Sequence, residues 1–146
     1  RRETDGPVGA LCPYGSHVWK QTFFGIRDVL APLARTDEVA VRPMQDGSDT
    51  SLCEVYPAAT LASCDLPAAE YKDGGEPARE RRRTIGDGLE AETPLAFSQG
   101  VRAELIDDAG GDALDAVVAA LATYHAREAD FEPDRAWDPT EGHIYV

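Results

Sequence analysis

Two apolar segments that carry carboxylates constrain the fold of this chain more than any other feature. Residues 52–56, Leu-Cys-Glu-Val-Tyr, predict a buried strand with Glu54 in it. Residues 111–121 have the apolar spacing of a buried helix that opens with Asp112 and Asp115. An ionised carboxylate is costly to bury without a partner. The sequence therefore predicts that the three side chains share an acidic site, which would suit a metal ion.

Helical and strand patterns alternate along the chain, which favours a mixed α/β sheet flanked by helices. Apolar spacing predicts helices over 20–34 and 112–127, and we also expect a charged helix over 76–89 and a short one over 95–106. Strands are predicted over 37–42, 51–56 and 143–146, and loops over 5–18 and 66–77. The length of 146 residues is that of one ordinary domain, so we expect a single domain over 1–146.

The composition is acidic but sufficiently apolar to fold. Asp and Glu number 27 against 14 Lys and Arg, which gives a net charge of -13, while 42% of the residues are hydrophobic. One interpretation is a surface adapted to high salt, where repulsion between carboxylates is screened. The other is an acidic protein that avoids nucleic acid, because this charge opposes simple electrostatic binding to DNA. At molar salt that argument weakens, since the Debye length falls to roughly 3 Å.

Compartment signals are few and point to the cytoplasm. The three cysteines, Cys12, Cys53 and Cys64, have no paired spacing, which fits a reducing compartment. No apolar run approaches the roughly 18 residues that would span a membrane, and no signal peptide is visible. We therefore expect a cytoplasmic protein without a membrane partner.

Each candidate carboxylate also has a structural interpretation. Asp112 is well placed to cap the helix, and an aspartate in the first turn favours the helix dipole. Asp115 lies on the flank of the apolar face, where function is the stronger interpretation. Glu54 is unusual in a strand, and its structural alternative is an ion pair with a buried arginine such as Arg42.

Carboxylates on rigid elements suit Mg²⁺ or Mn²⁺, and two such ions serve phosphodiester hydrolysis. Lys72, one of only two lysines, follows Tyr71 in a predicted loop and is a candidate phosphate contact. Arg82 is a further candidate, because it lies among several arginines on the 76–89 helix and arginine binds phosphate in bidentate fashion. The alternative is that these arginines form salt bridges along their own helix, to Glu76, Glu80 and Asp87.

Five pieces of the sequence, in order, resemble domain-of-unknown-function family four-twenty-nine, a prokaryotic group of predicted nucleases with a ribonuclease H-like fold. The pieces are Arg2–Asp5, Glu54–Ala59, Tyr71-Lys72, Asp112–Ala116 and Glu141–Val146. The last piece has His143 where an aromatic residue such as tryptophan is common in the family. The acidic composition suggests a haloarchaeal member.

The resemblance implies a metal-dependent nuclease in which Glu54, Asp112 and Asp115 bind Mg²⁺ or Mn²⁺ and nucleic acid is the partner. It also implies that the family's opening hairpin, with its first catalytic aspartate, precedes Arg1, so the first strands are expected to be missing. The face exposed in this way is a candidate contact for a second copy or another partner. Two alternatives stay open: a non-catalytic binding or assembly domain, and an enzyme acting on a small nucleotide-like phosphate.

Overall fold

The computed structural model describes residues 1–146, and the chain is mixed α/β with short parallel strands. The predicted class is therefore confirmed, whereas the ribonuclease H-like topology stays a prediction. The chain forms two compact units, the first from residues 1–55 and 126–145 and the second from residues 56–125 with residue 146. None of its helices combines the length and apolar composition that crossing a membrane requires.

The first unit contains short helices and four short strands. Its helical segments are α1 Asp5–Val8, α2 Trp19–Gly25, a π-helical turn Ile26–Leu30 and α3 Ala31–Leu33. Strand β1 Val39–Val41 pairs in parallel with β2 Thr50–Leu52, and β3 Glu54–Val55 pairs in parallel with β4 Ile144–Tyr145. The predicted strand 51–56 is therefore two strands with different partners, because the chain changes sheets at Cys53.

The helix predicted over 20–34 is formed, but its apolar face lies largely in solvent. No residue of α2, the π-helical turn or α3 is buried. Phe23, Phe24, Ile26 and Val29 are 47–57% exposed. Contiguous exposed apolar surface marks an interaction site more often than a free surface. The contact with a second copy or another partner that the resemblance implies stays a prediction.

The second unit is helical, and its helices surround one apolar core. They are α4 Pro57–Ser63, α5 Glu76–Glu92, α6 Gln99–Asp107 and α7 Asp112–Glu128. Pro57 stands at the start of α4, where its missing N–H costs nothing, and the Ser98 side chain accepts the Val101 N–H at the start of α6. The core side chains are Leu61, Tyr71, Ile85, Leu89, Leu105, Leu114, Val118 and Leu121.

One glycine allows α5 to approach the chain after α4. A Cβ on Gly88 would lie 2.3 Å from Leu66 Cδ2, a separation that real side chains do not adopt. A side chain at position 88 would therefore require the end of the Leu66 side chain to move.

Candidate functional site

Three of the predicted site residues, Tyr71, Lys72 and Asp115, meet in the second unit. Tyr71 Oη donates a hydrogen bond to Asp115 Oδ1 at 2.7 Å. Lys72 Nζ lies 2.5 Å from Asp115 Oδ2. We call these three residues the Asp115 cluster. Each oxygen of the carboxylate thus has its own donor, one neutral and one charged, so the orientation of the carboxylate is fixed.

The turn before α7 positions the cluster. Asp115 lies in the first turn of the helix, and its backbone N–H donates to the carbonyl of Gly111 at 2.9 Å. Gly111 has a φ of +74°, and a Cβ there would lie 3.0 Å from Lys72 Cγ and 3.1 Å from Tyr71 Cδ2. A side chain at position 111 would therefore meet both a backbone penalty and the two residues that contact Asp115.

Burial and charge give the members of the cluster different roles. Tyr71 is buried, and burial, together with its hydrogen bond to Asp115, raises the pKa of its hydroxyl well above the usual range. Tyr71 therefore stays protonated and acts as a fixed donor. The side chains of Lys72 and Asp115 are 49% and 27% exposed, so a ligand can reach both.

The Asp115 cluster lies at a pocket of about 330 Å³ within the second unit. The pocket also has the exposed carboxylate of Glu70 on its wall. The other lining residues are mostly small or apolar: Tyr56, Pro57, Ala58, Ala68 and Ala69. A volume of this size fits a small ligand or one residue of a longer one.

The capping interpretation of Asp112 is wrong, because Asp108 performs that role. The Asp108 carboxylate accepts the backbone N–H of Ala113 at 2.8 Å and that of Gly110 at 3.0 Å. Backbone hydrogen bonds, of which that from Ala113 is the strongest, lower the pKa of Asp108. Asp112 is exposed and lies three residues before Asp115, so the two carboxylates are neighbours on the surface of α7.

The structure changes the interpretation of Glu54. Its side chain is 48% exposed rather than buried. Arg2 donates to both of its oxygens at 2.6 Å, so the anticipated ion pair exists with Arg2. Arg42, which the sequence suggested, instead pairs with Asp46 and donates to Ser51 Oγ at 3.1 Å.

Arg2, Asp5 and Glu54 form a second charged group, which lies in the first unit and which we call the Arg2 cluster. Asp5 is fully buried, and its Oδ1 accepts from Arg2 Nε at 2.9 Å. The hydrogen bond to Glu54 is the main cause that raises the pKa of Arg2. Sequence reasoning did not identify Arg2 or Asp5 as site residues, although both stand in the first of the five family-like pieces.

Arg82 does not support the predicted contact with phosphate. It is 1% exposed, and its guanidinium donates to the carbonyls of Ile106, Tyr71 and Asp73 at 2.6–2.9 Å. These bonds join α5 to α6 and to the chain around Tyr71, so the residue is structural. Two of the anticipated ion pairs along α5 are formed, Arg79 with Glu76 and Arg83 with Glu80. Arg79 and Arg81 also pair with other segments, at Asp107 and Glu70, and Asp87 pairs with Arg102 of α6 instead.

The acidic residues of the second unit fit Mg²⁺ or Mn²⁺ better than they fit zinc. Neither unit contains a group of three or more His, Cys, Asp or Glu side chains placed to bind one metal ion. Mg²⁺ needs only one or two carboxylates, because waters and substrate phosphates complete its shell. The candidate carboxylates for such a site are Asp112 and Asp115. Glu54 belongs to the first unit, and its predicted share in the same metal site stays a prediction.

Comparison with known proteins identifies a family and no activity. No curated protein and no solved structure matches the chain. A family model described as Protein of unknown function (DUF429) matches residues 17–136, which is most of the chain. The pieces named from the sequence between Glu54 and Ala116 lie inside this match. The chain therefore belongs to the DUF429 family.

Proposed function

We propose that this chain is a divalent-cation-dependent phosphodiesterase, of the nuclease type, whose chemistry is centred on Asp115. The observation that carries the proposal is the Asp115 cluster itself. A partly exposed carboxylate, with both oxygens oriented by Tyr71 and Lys72, stands at a pocket that a ligand can enter. Oriented carboxylates beside a lysine suit a cation and a phosphate side by side.

Each residue of the cluster has a defined part in this proposal. Asp115 and its helix neighbour Asp112 would hold Mg²⁺ or Mn²⁺, which when bound polarises a phosphoryl oxygen and activates water. Tyr71 fixes the orientation of the carboxylate through its hydroxyl. Lys72 places a positive charge beside the site, where it can contact a phosphate oxygen and reduce the repulsion between the substrate and the acidic chain.

A second candidate is hydrolysis of a small nucleotide-like phosphate ester at the same residues. Two observations favour it over a long polynucleotide. The pocket of about 330 Å³ has room for little more than a single nucleotide-sized group. The net charge of -13 repels a polyanion of many phosphates more than it repels a compound with one.

Hydrolysis assays with two substrates test the proposal. The purified chain is incubated with Mg²⁺ or Mn²⁺, at low and at molar KCl, with a single-stranded oligonucleotide and with the p-nitrophenyl ester of thymidine monophosphate. We expect cleavage that D115N reduces at least about 100-fold and that K72Q weakens mainly through KM. E54Q shows in the same assay whether Glu54 contributes to the reaction.

The control variant is D87N, which removes an exposed carboxylate of the same unit outside the Asp115 cluster. It should leave the rate unchanged. Cleavage of the small ester alone selects the second candidate. Absence of cleavage of both substrates, or equal rates in D115N and D87N, would show that the chain is not a phosphodiesterase centred on Asp115.

A further inference from the structure

The helical segment from α2 to α3 carries most of the exposed apolar surface of the chain. Six of the eleven large apolar side chains that are exposed lie on it: Trp19, Phe23, Phe24, Ile26, Val29 and Leu33. We call these six side chains, with Lys20 and Arg27 between them, the α2–α3 face. Its three aromatic rings are 46–52% exposed. They alone present on the order of 300 Å² of apolar surface, an area that marks interaction sites on soluble proteins.

Cations lie directly on the rings of this face. The rings of Phe23 and Phe24 meet edge to face, with their centroids 5.5 Å apart. The guanidinium of Arg27 lies 5.3 Å from the first centroid and 4.7 Å from the second. Lys20 Nζ lies 5.7 Å from the centroid of the Trp19 ring. A partner that covers the rings therefore also meets both cations.

The charge of this part of the chain is opposite to that of the whole. Residues 11–35 contain three basic residues, Lys20, Arg27 and Arg35, and one acidic residue, Asp28, so they carry +2 in a chain of net charge -13. Arg27 pairs with Asp28 at 2.5 Å, which leaves the excess positive charge with the other two residues. Complementary charge selects partners and opposes wrong ones. The α2–α3 face is thus suited to a partner that is both apolar and acidic.

Two other occupants fit this charge less well. A second copy that presents the same face would bring the basic residues of both copies together, and like charges across an interface cost free energy. An anionic membrane attracts the same basic residues, but it is an extended surface that also repels the remainder of a chain with net charge -13. A short acidic segment contacts the face alone.

We propose that the α2–α3 face binds an acidic amphipathic helix of another protein. Apolar side chains of that helix would pack on the rings, and its carboxylates would pair with Lys20, Arg27 and Arg35. The 15 residues from Trp19 to Leu33 span about 22 Å, so a helix of similar length covers them. This inference does not depend on the proposed hydrolysis, because binding here needs neither Asp115 nor a divalent cation.

Titration of the whole chain with a synthetic peptide tests the proposal. The probe is a labelled peptide of about 18 residues, with Leu and Phe at helical spacing and Glu at the other positions. Fluorescence anisotropy is measured without divalent cations at about 0.15 M KCl, where the Debye length of about 8 Å limits repulsion from the rest of the chain. We expect a Kd below about 100 μM. A weaker affinity, or none, would overturn the proposal.

Two variants place the peptide on the face. F23S removes a ring that is 52% exposed, and we expect it to weaken binding at least about tenfold. Its control is V101S, which removes an apolar side chain that is 44% exposed in the second unit and should leave the affinity unchanged. K20E should weaken binding at least about threefold, whereas R81E, which changes the net charge equally in the second unit, should not. Equal effects within either pair would contradict the assignment.

The emission of Trp19 reports the site independently of affinity. In W137F, Trp19 is the only remaining tryptophan, and saturation with the peptide should shift its emission to shorter wavelength as the ring leaves water. An unchanged spectrum at saturation would place the peptide elsewhere and overturn the proposal.

Two further measurements test the competing occupants. Static light scattering gives the mass of the free chain, and sedimentation measures its binding to vesicles of phosphatidylglycerol and phosphatidylcholine. We expect a monomer and no binding to vesicles. A dimer that F23S dissociates, or vesicles that bind the unmodified chain but not F23S, would overturn the proposal in favour of a second copy or a membrane surface.

Discussion

At the scale of single residues, two hydrogen-bond donors, one neutral and one charged, orient the carboxylate of Asp115. Tyr71 is buried, and it donates a neutral hydrogen bond. Lys72 is half exposed, and it donates a charged hydrogen bond. A ligand that competes for Asp115 can therefore displace Lys72 at little cost, while Tyr71 keeps the carboxylate in place.

Removing the Tyr71 hydroxyl should cost stability as well as orientation. We expect Y71F to lower the free energy of unfolding by about 1 kcal/mol, because a hydrogen bond to a charged acceptor is lost from a buried ring. Urea unfolding followed by circular dichroism measures the change. Y124F is the control, since Tyr124 is 43% exposed in the same unit. Equal stabilities of the two variants would contradict a structural role for the Tyr71–Asp115 bond.

Arg82 is the residue for which sequence reasoning and structure differ most. Its position in a run of arginines suggested an exposed side chain that contacts phosphate. In the structure the side chain lies on the inner face of α5 and donates to three carbonyls. Spacing along the helix does not reveal carbonyls contributed by other segments. The signal that was available is the pattern of α5, where Ala78, Ile85 and Leu89 are buried on the same helix as Arg82.

Replacing Arg82 should therefore destabilise the fold strongly. We expect R82M to lower the free energy of unfolding by about 3 kcal/mol, since three carbonyls, that of Tyr71 in a buried hydrogen bond, lose their donor. R83M, next to it, removes an arginine that forms an ion pair with Glu80 at the surface of α5 and should change stability by less than about 0.5 kcal/mol. Urea unfolding of both variants decides the matter, and equal losses would refute the assigned role of Arg82.

At the scale of secondary structure, local signals predicted the long helices well. Helices expected over 76–89 and 112–127 are formed over Glu76–Glu92 and Asp112–Glu128. Apolar periodicity specifies such elements without reference to the rest of the chain. The strands are different, because β3 pairs with β4, which lies far along the chain, and neighbouring residues carry no information about that pairing. A single strand over 51–56 was therefore the wrong expectation.

The start of α7 offers a test at the same scale. We expect D108A to lower the melting temperature by about 2–4 °C, because its carboxylate accepts backbone N–H groups at the helix start. D112A should change it by less than about 1 °C, since Asp112 is exposed and Asp108 accepts those N–H groups. Differential scanning calorimetry measures the melting temperatures of the two variants and of the unmodified chain. A larger loss in D112A would restore Asp112 as the cap.

At the scale of the whole molecule, the net charge of -13 governs how the chain responds to salt. Self-repulsion of the carboxylates destabilises the compact state, and salt screens it. The surface also exposes the apolar face of α2–α3, which carries Lys20 and Arg27 in an otherwise acidic chain. The adaptation to high salt that the composition suggests stays a prediction.

Salt should stabilise the chain. The way in which the melting temperature depends on KCl concentration distinguishes charge screening from salting-out. We expect the melting temperature to rise steeply between about 0.05 and 0.5 M KCl and to level off near 1 M, where the Debye length is only about 3 Å. Differential scanning calorimetry at a series of KCl concentrations measures the melting temperature. A rise that stays linear to 2 M would indicate salting-out of apolar surface instead of screening.

The sequence predicted which residues belong to the candidate site, but it did not predict which of them contact one another. The sequence identified Tyr71, Lys72 and Asp115 separately, and the second unit brings them within hydrogen-bonding distance. It also identified Glu54, but not Arg2, its partner from 52 residues earlier. Apolar spacing and motif pieces specify which residues are unusual, whereas contacts between distant segments depend on packing that no local pattern encodes.

The binding of Mn²⁺ by the whole chain is the most direct test of the proposed role of Asp115. Electron paramagnetic resonance of free Mn²⁺ gives the affinity of the unmodified chain, D115N and the control D87N, at a salt concentration that suppresses non-specific binding. We predict that D115N binds Mn²⁺ at least about tenfold more weakly than the other two. Equal affinity in all three would contradict the assignment of Asp115 as a cation ligand and, with it, the proposed phosphodiesterase.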